Sequence, residues 1–223
     1  MLTYLKNTIV LFLFIFCAKN LYAQQHPPFW DEIQNFKKQD SIHPPKKNAI
    51  LFVGSSSFRK WTDVQNYFPG YTIINRGFGG SSFTEVIHYA DDIIFPYHPK
   101  QIVIYCGDND LAASDTVSAA TVFFRFQQLF IAIRRKLPAA SIIFVSIKPS
   151  TSRQKLMPKM NAANDMIKIF LKNKPRTGFV DVYHKMLKAD GMPMDDIFLE
   201  DKLHMNAKGY AIWQKEIKPY LLK

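Results

Sequence analysis

The chain has 223 residues, 29 of them Lys or Arg against 18 Asp or Glu, for a formal net charge of +11, and it carries two cysteines. Cys17 lies in an apolar leader, so only Cys106 remains for the folded part; an intramolecular disulfide is excluded and the core must hold the fold. The lysines are scattered (Lys37–Lys38, Lys46–Lys47, Lys155, Lys159, Lys168, Lys172, Lys174), which argues against a nucleic-acid interface and for a solvated surface suited to anionic envelopes or glycans.

At the start, Lys6 precedes the apolar run Thr8–Ala18, and Leu21-Tyr22-Ala23 offers a small residue before Gln24. This predicts a signal peptide over residues 1–23 and a secreted or periplasmic protein. The run is shorter than the roughly 18–20 residues that span a bilayer, so no stable membrane insertion is expected after cleavage. A retained anchor is the lesser alternative, as is a lipoprotein at Cys17, where bulky Phe16 stands just before the cysteine. Without Lys6 and Lys19, 27 basic residues face 18 acidic ones, a net +9. Residues 24–48 are polar and punctuated by Pro27-Pro28 and Pro44-Pro45. They read as a lead-in with one helix over Phe29–Asp40, packing on a single domain at 49–223.

From Ala49 strands and helices alternate. Apolar runs predict strands at Ala49–Val53, Tyr71–Ile74, Gln101–Tyr105, Ser141–Val145 and Phe179–Tyr183. Helical spacing predicts helices at Ser81–Ile94, Thr116–Leu137, Met157–Lys172 and Asn206–Leu221, and a helical segment after Ser57 through Phe58, Trp61, Val64 and Tyr67. Apolar strands each followed by a helix imply an α/β fold, a parallel sheet covered on both faces in a three-layer α/β/α sandwich. Strand order 2-1-3-4-5 is the natural arrangement for five such strands.

In that fold the loops after the first three strands share one edge of the sheet. They carry Ser56, a glycine cluster ending at Gly80, and Asn109. A serine between strand and helix is often only a helix cap, and that reading stands beside a nucleophile. Asp201-Lys202-Leu203-His204 puts a carboxylate three residues before an imidazole. Asp201 can hold one ring nitrogen and leave the other to take a proton from Ser56. The backbone N–H groups of Ser56 and Gly80 and the Asn109 side chain fit the donors that a developing oxyanion needs.

Gly54-Ser55-Ser56, Asn75–Ser81 with Gly80, Gly107-Asp108-Asn109-Asp110 and Asp201-Lys202-Leu203-His204 occur in this order over about residues 49–221. Together they resemble the four sequence blocks of the SGNH (GDSL-like) hydrolases, in the subgroup similar to platelet-activating-factor acetylhydrolase subunits. The resemblance implies a flavodoxin-like fold and ester hydrolysis through an acyl-serine, with no metal or other cofactor. It implies Ser56 as nucleophile, Gly80 and Asn109 as oxyanion donors, His204 as general base and acid, and Asp201 as its orienting partner. Ser55 and Ser57 depart from the pattern, standing where the family has Asp and Leu. The lost Asp is a loop hydrogen-bond acceptor that a serine hydroxyl replaces in part.

Other residues have plainer readings. His26, His43, His88, His98 and His184 compete with His204; His88 follows Glu85 within a predicted helix, where surface pairing is expected. Asp110 is expected to stabilise its loop, Asp108 and Arg76 to be solvated loop residues, and Cys106 to be a small buried thiol. Phe123, Phe124, Phe126 and Phe130 read as helix-packing residues. The glycines at 77–80 lack the dinucleotide fingerprint, and no G-x-S-x-G elbow or zinc-spaced ligand cluster occurs. The expected function is a serine esterase for short acyl esters, acetyl above all, on a small molecule or a carbohydrate. The alternatives are a lysophospholipase or thioesterase on the same site, and a glycan- or surface-binding module without turnover.

Overall fold

A computed structural model describes residues 26–223; the signal-peptide expectation falls on residues outside that range. Residues Asp31–Lys223 form one compact unit, which contains the sheet. Among the described residues no helix is long and apolar enough to cross a membrane.

Helix α1 (Trp30–Ile42) leads into β1 (Ile50–Gly54), α2 (Ser56–Arg59) and α3 (Val64–Tyr67). Next come β2 (Ile73–Gly77), α4 (Phe83–His88), α5 (Ala90–Ile93) and β3 (Gln101–Tyr105). Then follow α6 (Asp108–Ala113), α7 (Ala119–Lys136), β4 (Ser141–Val145), α8 (Met157–Lys172), β5 (Thr177–Val180) and α9 (Ala207–Ile217). The five strands are all parallel, in the order β2-β1-β3-β4-β5. β1, β3 and β4 are buried along their whole length, as strands covered on both faces must be.

β2 begins two residues later than its apolar run and extends through polar Asn75 and Arg76 to pair Gly77 with Gly54. It is an edge strand, and both polar side chains find partners there. Asn75 Nδ2 donates to the carbonyls of Phe58 (2.7 Å) and Trp61 (3.3 Å). Arg76 pairs with Asp40 and donates to the Tyr97 hydroxyl (2.6 Å), so it is a half-buried anchor and not a solvated loop residue. The predicted helix 81–94 is broken at Tyr89 into α4 and α5. A capping box starts α4: Ser82 Oγ accepts from Thr84 N–H, and Glu85 accepts from Ser82 N–H (2.7 Å). Glu85 is therefore engaged by Ser82, and His88, expected to pair with it, packs edge-on against Tyr89. β5 ends at Val180, short of the Tyr183 expected, and α7 starts at Ala119 with Ser118 as its cap.

An aromatic cluster lies under β1 and β3. Phe52, Phe58, Trp61, Phe68, Tyr105 and Trp213 are all fully buried, with Phe52–Phe58 centroids 5.0 Å apart and Tyr105–Trp213 centroids 4.7 Å apart. Burying a ring such as Phe58 is worth about 1.5–3 kcal/mol, and it seats α2 on the sheet. Phe126 and Phe130 are buried under α7 and Phe123 packs on Phe170, but Phe124 points outward and is exposed.

Candidate active site

Gly54 ends β1 with φ +139°, a conformation open to glycine, and Ser55 N–H donates to the Tyr105 carbonyl (3.0 Å). Ser55 occupies the cap position of α2 without a side-chain cap bond, and Ser56 is the first helical residue. The cap reading thus falls one residue early. Ser56 N–H is one of the donors that a helix start leaves without an intrahelical partner. Tyr210 Oη, from α9, donates to the Ser57 carbonyl (2.9 Å) and ties α2 to the C-terminal helix.

Far along the chain, Asn206 caps α9 by accepting from Lys208 and Gly209 N–H, and His204 O accepts from Leu199 N–H (2.7 Å). Between them the chain turns at Lys202, φ +53°. Asp201 Oδ1 accepts from the N–H groups of Leu203 (3.0 Å) and His204 (2.9 Å). Its Oδ2 lies 2.5 Å from His204 Nδ1, and His204 Nε2 lies 3.0 Å from Ser56 Oγ. Burial raises the Asp201 carboxyl, but the His204 ring and those two backbone donors outweigh it and hold the group well below the usual carboxylate range.

Asn109, in the first turn of α6, faces the same rim. Its Nδ2 donates to Ser81 O (3.1 Å), and a Cβ placed on Gly80 would come within 3.8 Å of that nitrogen. A side chain at 80 would therefore enter the space in front of the amide. Ser81 is pinned in turn, its hydroxyl donating to Gly54 O (3.2 Å). The loops after β1, β2 and β3 so meet, bringing Ser56, Gly80 and Asn109 to one edge with His204 and Asp201. Such a set can transfer a proton from a hydroxyl to an imidazole and supply amide donors to an anionic oxygen.

The neighbours of the set are less exposed than expected. Asp108 is buried and pairs with Arg153 (Oδ2 to Nη1, 3.1 Å). Asp110 is fully buried, accepts from Phe83 N–H (3.0 Å) and pairs with Arg125 (2.8 Å); burial raises its carboxyl despite those donors. Burial, with Asp110 and Asp108 nearby, pushes the Cys106 thiol up, which suits an inert residue. Ser55 Oγ is buried and makes no hydrogen bond to any described residue, so the hydroxyl does not replace the acceptor that the family pattern has there.

Three features escaped the sequence reading. Lys148, after β4, is 1% exposed, and its Nζ donates to Leu203 O (2.8 Å) directly before His204; burial lowers its ammonium to about 8. Arg153 Nη2 donates to Asn109 Oδ1 (2.9 Å). Asp181 and His184 repeat the three-residue spacing of the 201–204 pair, with Nδ1 and Oδ2 2.8 Å apart, but the His184 ring is well exposed. That spacing was visible in the sequence; the partners of Lys148 and Arg153 lie about 45–55 residues away in the chain and carried no local signal.

The sequence model of the GDSL-like lipase/acylhydrolase family matches residues 52–212. The chain belongs to this family of ester hydrolases. Among solved structures, this hydrolase is similar to one from Streptococcus pneumoniae assigned as a platelet activating factor, with TM-score 0.75, 20% identity, and 94% and 99% of the two chains covered. It is similar also to a GDSL-like lipase from Bacteroides thetaiotaomicron, with TM-score 0.72, 18% identity, and coverage of 84% and 95%. A catalytic mutant of an acetylxylan esterase from Geobacillus stearothermophilus aligns with TM-score 0.61, 13% identity, and coverage of 80% and 96%. At these identities the structural likeness speaks for the fold. Among curated proteins, the hydrolase is 24% identical over 169 residues to the N-acylneuraminate cytidylyltransferase of Escherichia coli O18:K1:H7; the match takes in 75% of this chain and 39% of that one.

Proposed function

We propose that the protein is a serine esterase that hydrolyses short-chain carboxylic esters, acetyl esters first among them, through an acyl-serine. The observation that carries this reading is the continuous line from Asp201 Oδ2 through the His204 ring to Ser56 Oγ, with contacts of 2.5 and 3.0 Å. Asp201 fixes the tautomer in which Nδ1 carries the proton, leaving Nε2 to accept from Ser56. Ser56 Oγ attacks the ester carbonyl and its proton passes to Nε2. The negative oxygen of the tetrahedral intermediate is held by the N–H groups of Ser56 and Gly80 and by Asn109 Nδ2. His204 then protonates the departing alcohol; next it takes a proton from a water that attacks the acyl carbon, and returns that proton to Ser56 Oγ as the C–Oγ bond breaks and the acid leaves.

A carbohydrate is the alcohol we favour; an open cleft lined by Leu111, Thr151, Gln154, Lys155 and Leu156 lies on the far side of Arg153, whose guanidinium reaches Asn109. The acetylxylan esterase that shares the fold agrees with that choice. A secreted or periplasmic location, expected from the first residues of the sequence, fits a polymeric ester as substrate. The test is hydrolysis of p-nitrophenyl acetate by the mature protein beside Ser56→Ala. The variant is expected to lose on the order of 10⁴-fold or more in kcat; equal rates would overturn the assignment. An optimum at long acyl chains in an ester series would replace the short-chain reading with a lysophospholipase.

A further inference from the structure

Resting on that reading, we infer that Arg153 is a positioning residue for the oxyanion site: it locks the Asn109 amide with its nitrogen toward the reacting carbonyl.

An asparagine amide has nearly the same shape in either of its two orientations, so something must choose between them. Only one orientation is useful. With Nδ2 toward the substrate oxygen the residue donates, whereas a turn of 180° would present Oδ1 to a developing negative charge. Two contacts set the choice. Ser81 O takes one Nδ2 proton at 3.1 Å, which leaves the second for the substrate. On the other side Arg153 Nη2 donates to Oδ1 at 2.9 Å. A guanidinium has donors and no acceptor, so the turned amide would set NH₂ against NH₂ while Ser81 O met Oδ1. Both bonds would be lost and both replaced by repulsion. The bond to a cation also draws electron density toward Oδ1 and makes the remaining N–H a stronger donor.

Arg153 is held for this task. Asp108, buried one residue before Asn109, pairs with its Nη1 at 3.1 Å, so the guanidinium bridges adjacent side chains of one helical turn. The segment that carries Arg153 is bound to the other half of the site as well. Ser152 N–H (3.2 Å) and Oγ (3.0 Å) donate to Lys202 O, and Lys148 Nζ donates to Leu203 O at 2.8 Å. The stretch 148–153 after β4 thus fastens two successive carbonyls ahead of His204 at one end and the Asn109 amide at the other. The distance between imidazole and oxyanion donor is fixed through a single piece of backbone.

The test is steady-state kinetics on p-nitrophenyl acetate for Arg153→Ala, Asn109→Ala and the double variant, with Ser56→Ala alongside. Asn109→Ala should lower kcat by about 10²–10³-fold, the usual effect of removing one oxyanion donor. Arg153→Ala should lower kcat by about 10–100-fold with KM within about threefold, and the double variant should be no slower than Asn109→Ala within about threefold. Arg153→Lys, which keeps a cationic donor for Oδ1 and a partner for Asp108, should recover part of the loss. Arg153→Gln occupies similar space, so the comparison with Lys remains readable if the alanine variant does not fold. Losses that multiply in the double variant, a kcat within twofold of wild type, or a rise confined to KM would each overturn the proposal, the last by making Arg153 a substrate contact. If Ser56→Ala is as fast as wild type, the esterase reading fails; if it is inactive while Arg153→Ala keeps a kcat within twofold of wild type, only the positioning role fails.

Discussion

Gly54 and Tyr105 stand so close across the sheet that a Cβ at position 54 would lie 1.8 Å from the Tyr105 carbonyl oxygen. That carbonyl also accepts from Ser55 N–H, so the approach of the two strands places the turn that delivers Ser56. Backbone cannot yield as a flexible side chain can, and φ of +139° adds strain for any other residue. Gly54→Ala is expected to destabilise the protein by about 4 kcal/mol or more, at the upper end for point substitutions. Chemical denaturation checks this; a midpoint near that of wild type would show that the close approach is dispensable.

Asp201→Asn separates charge from loop geometry. Oδ1 can still accept from Leu203 and His204 N–H, so the turn should survive. The amide nitrogen, however, would face His204 Nδ1 and force the proton onto Nε2, where it blocks transfer from Ser56. A fall in kcat on the order of 10³–10⁴-fold is expected, with little change in melting temperature. Activity within tenfold of wild type would show that the carboxylate does not set the tautomer.

Lys148 makes stability depend on alkaline pH. Burial holds its ammonium at about 8, below the 10.5 of an exposed lysine. Between those values the unfolded chain binds more protons than the folded one, so this group's contribution to stability rises with pH across that window. Below about 8 the fold carries the buried charge in full. Lys148→Met removes this dependence. The difference in unfolding free energy between the variant and wild type should therefore shift against the variant from pH 8 to 9.5. Parallel curves over that range would mean that the ammonium is not held down.

Much of this was legible from residue patterns because the governing signals are local. β3, β4 and α8 match their predicted bounds, since each is a continuous apolar run or a clean helical stripe between breakers. β2 differs from its apolar run because its polar half is satisfied by tertiary partners, Phe58 and Trp61 carbonyls for Asn75 and Asp40 for Arg76. The residues proposed for chemistry could be picked out because each sits at a strand end or in a short spaced pair. Lys148 and Arg153 could not, because an isolated basic residue reads as solvent-facing until the carbonyl or carboxylate it meets is known. Arg76 and Asp108 read as solvated loop residues for the same reason, until the partners each meets are known.

The Arg76 anchor yields a separate prediction. Its guanidinium pairs with Asp40 of α1, donates to Tyr97 and lies over the Phe36 ring at 4.9 Å. Arg76→Met leaves Asp40 without its cationic partner, though the Tyr97 hydroxyl still donates to it, and because the pair is only partly buried it should cost about 1–3 kcal/mol, less than breaking a fully buried pair from one side. Thermal unfolding checks it, and a melting temperature within about a degree of wild type would contradict it.

The central claim is that Ser56 becomes covalently acylated with His204 as its base. The most direct measurement is reaction with a fluorophosphonate followed by peptide mapping of the wild type and of His204→Ala. One phosphonyl adduct on Ser56, formed by the wild type and at least about 10³-fold more slowly by the variant, is the predicted result. An intact, folded protein that takes no adduct at Ser56, or takes it equally fast without His204, would contradict it.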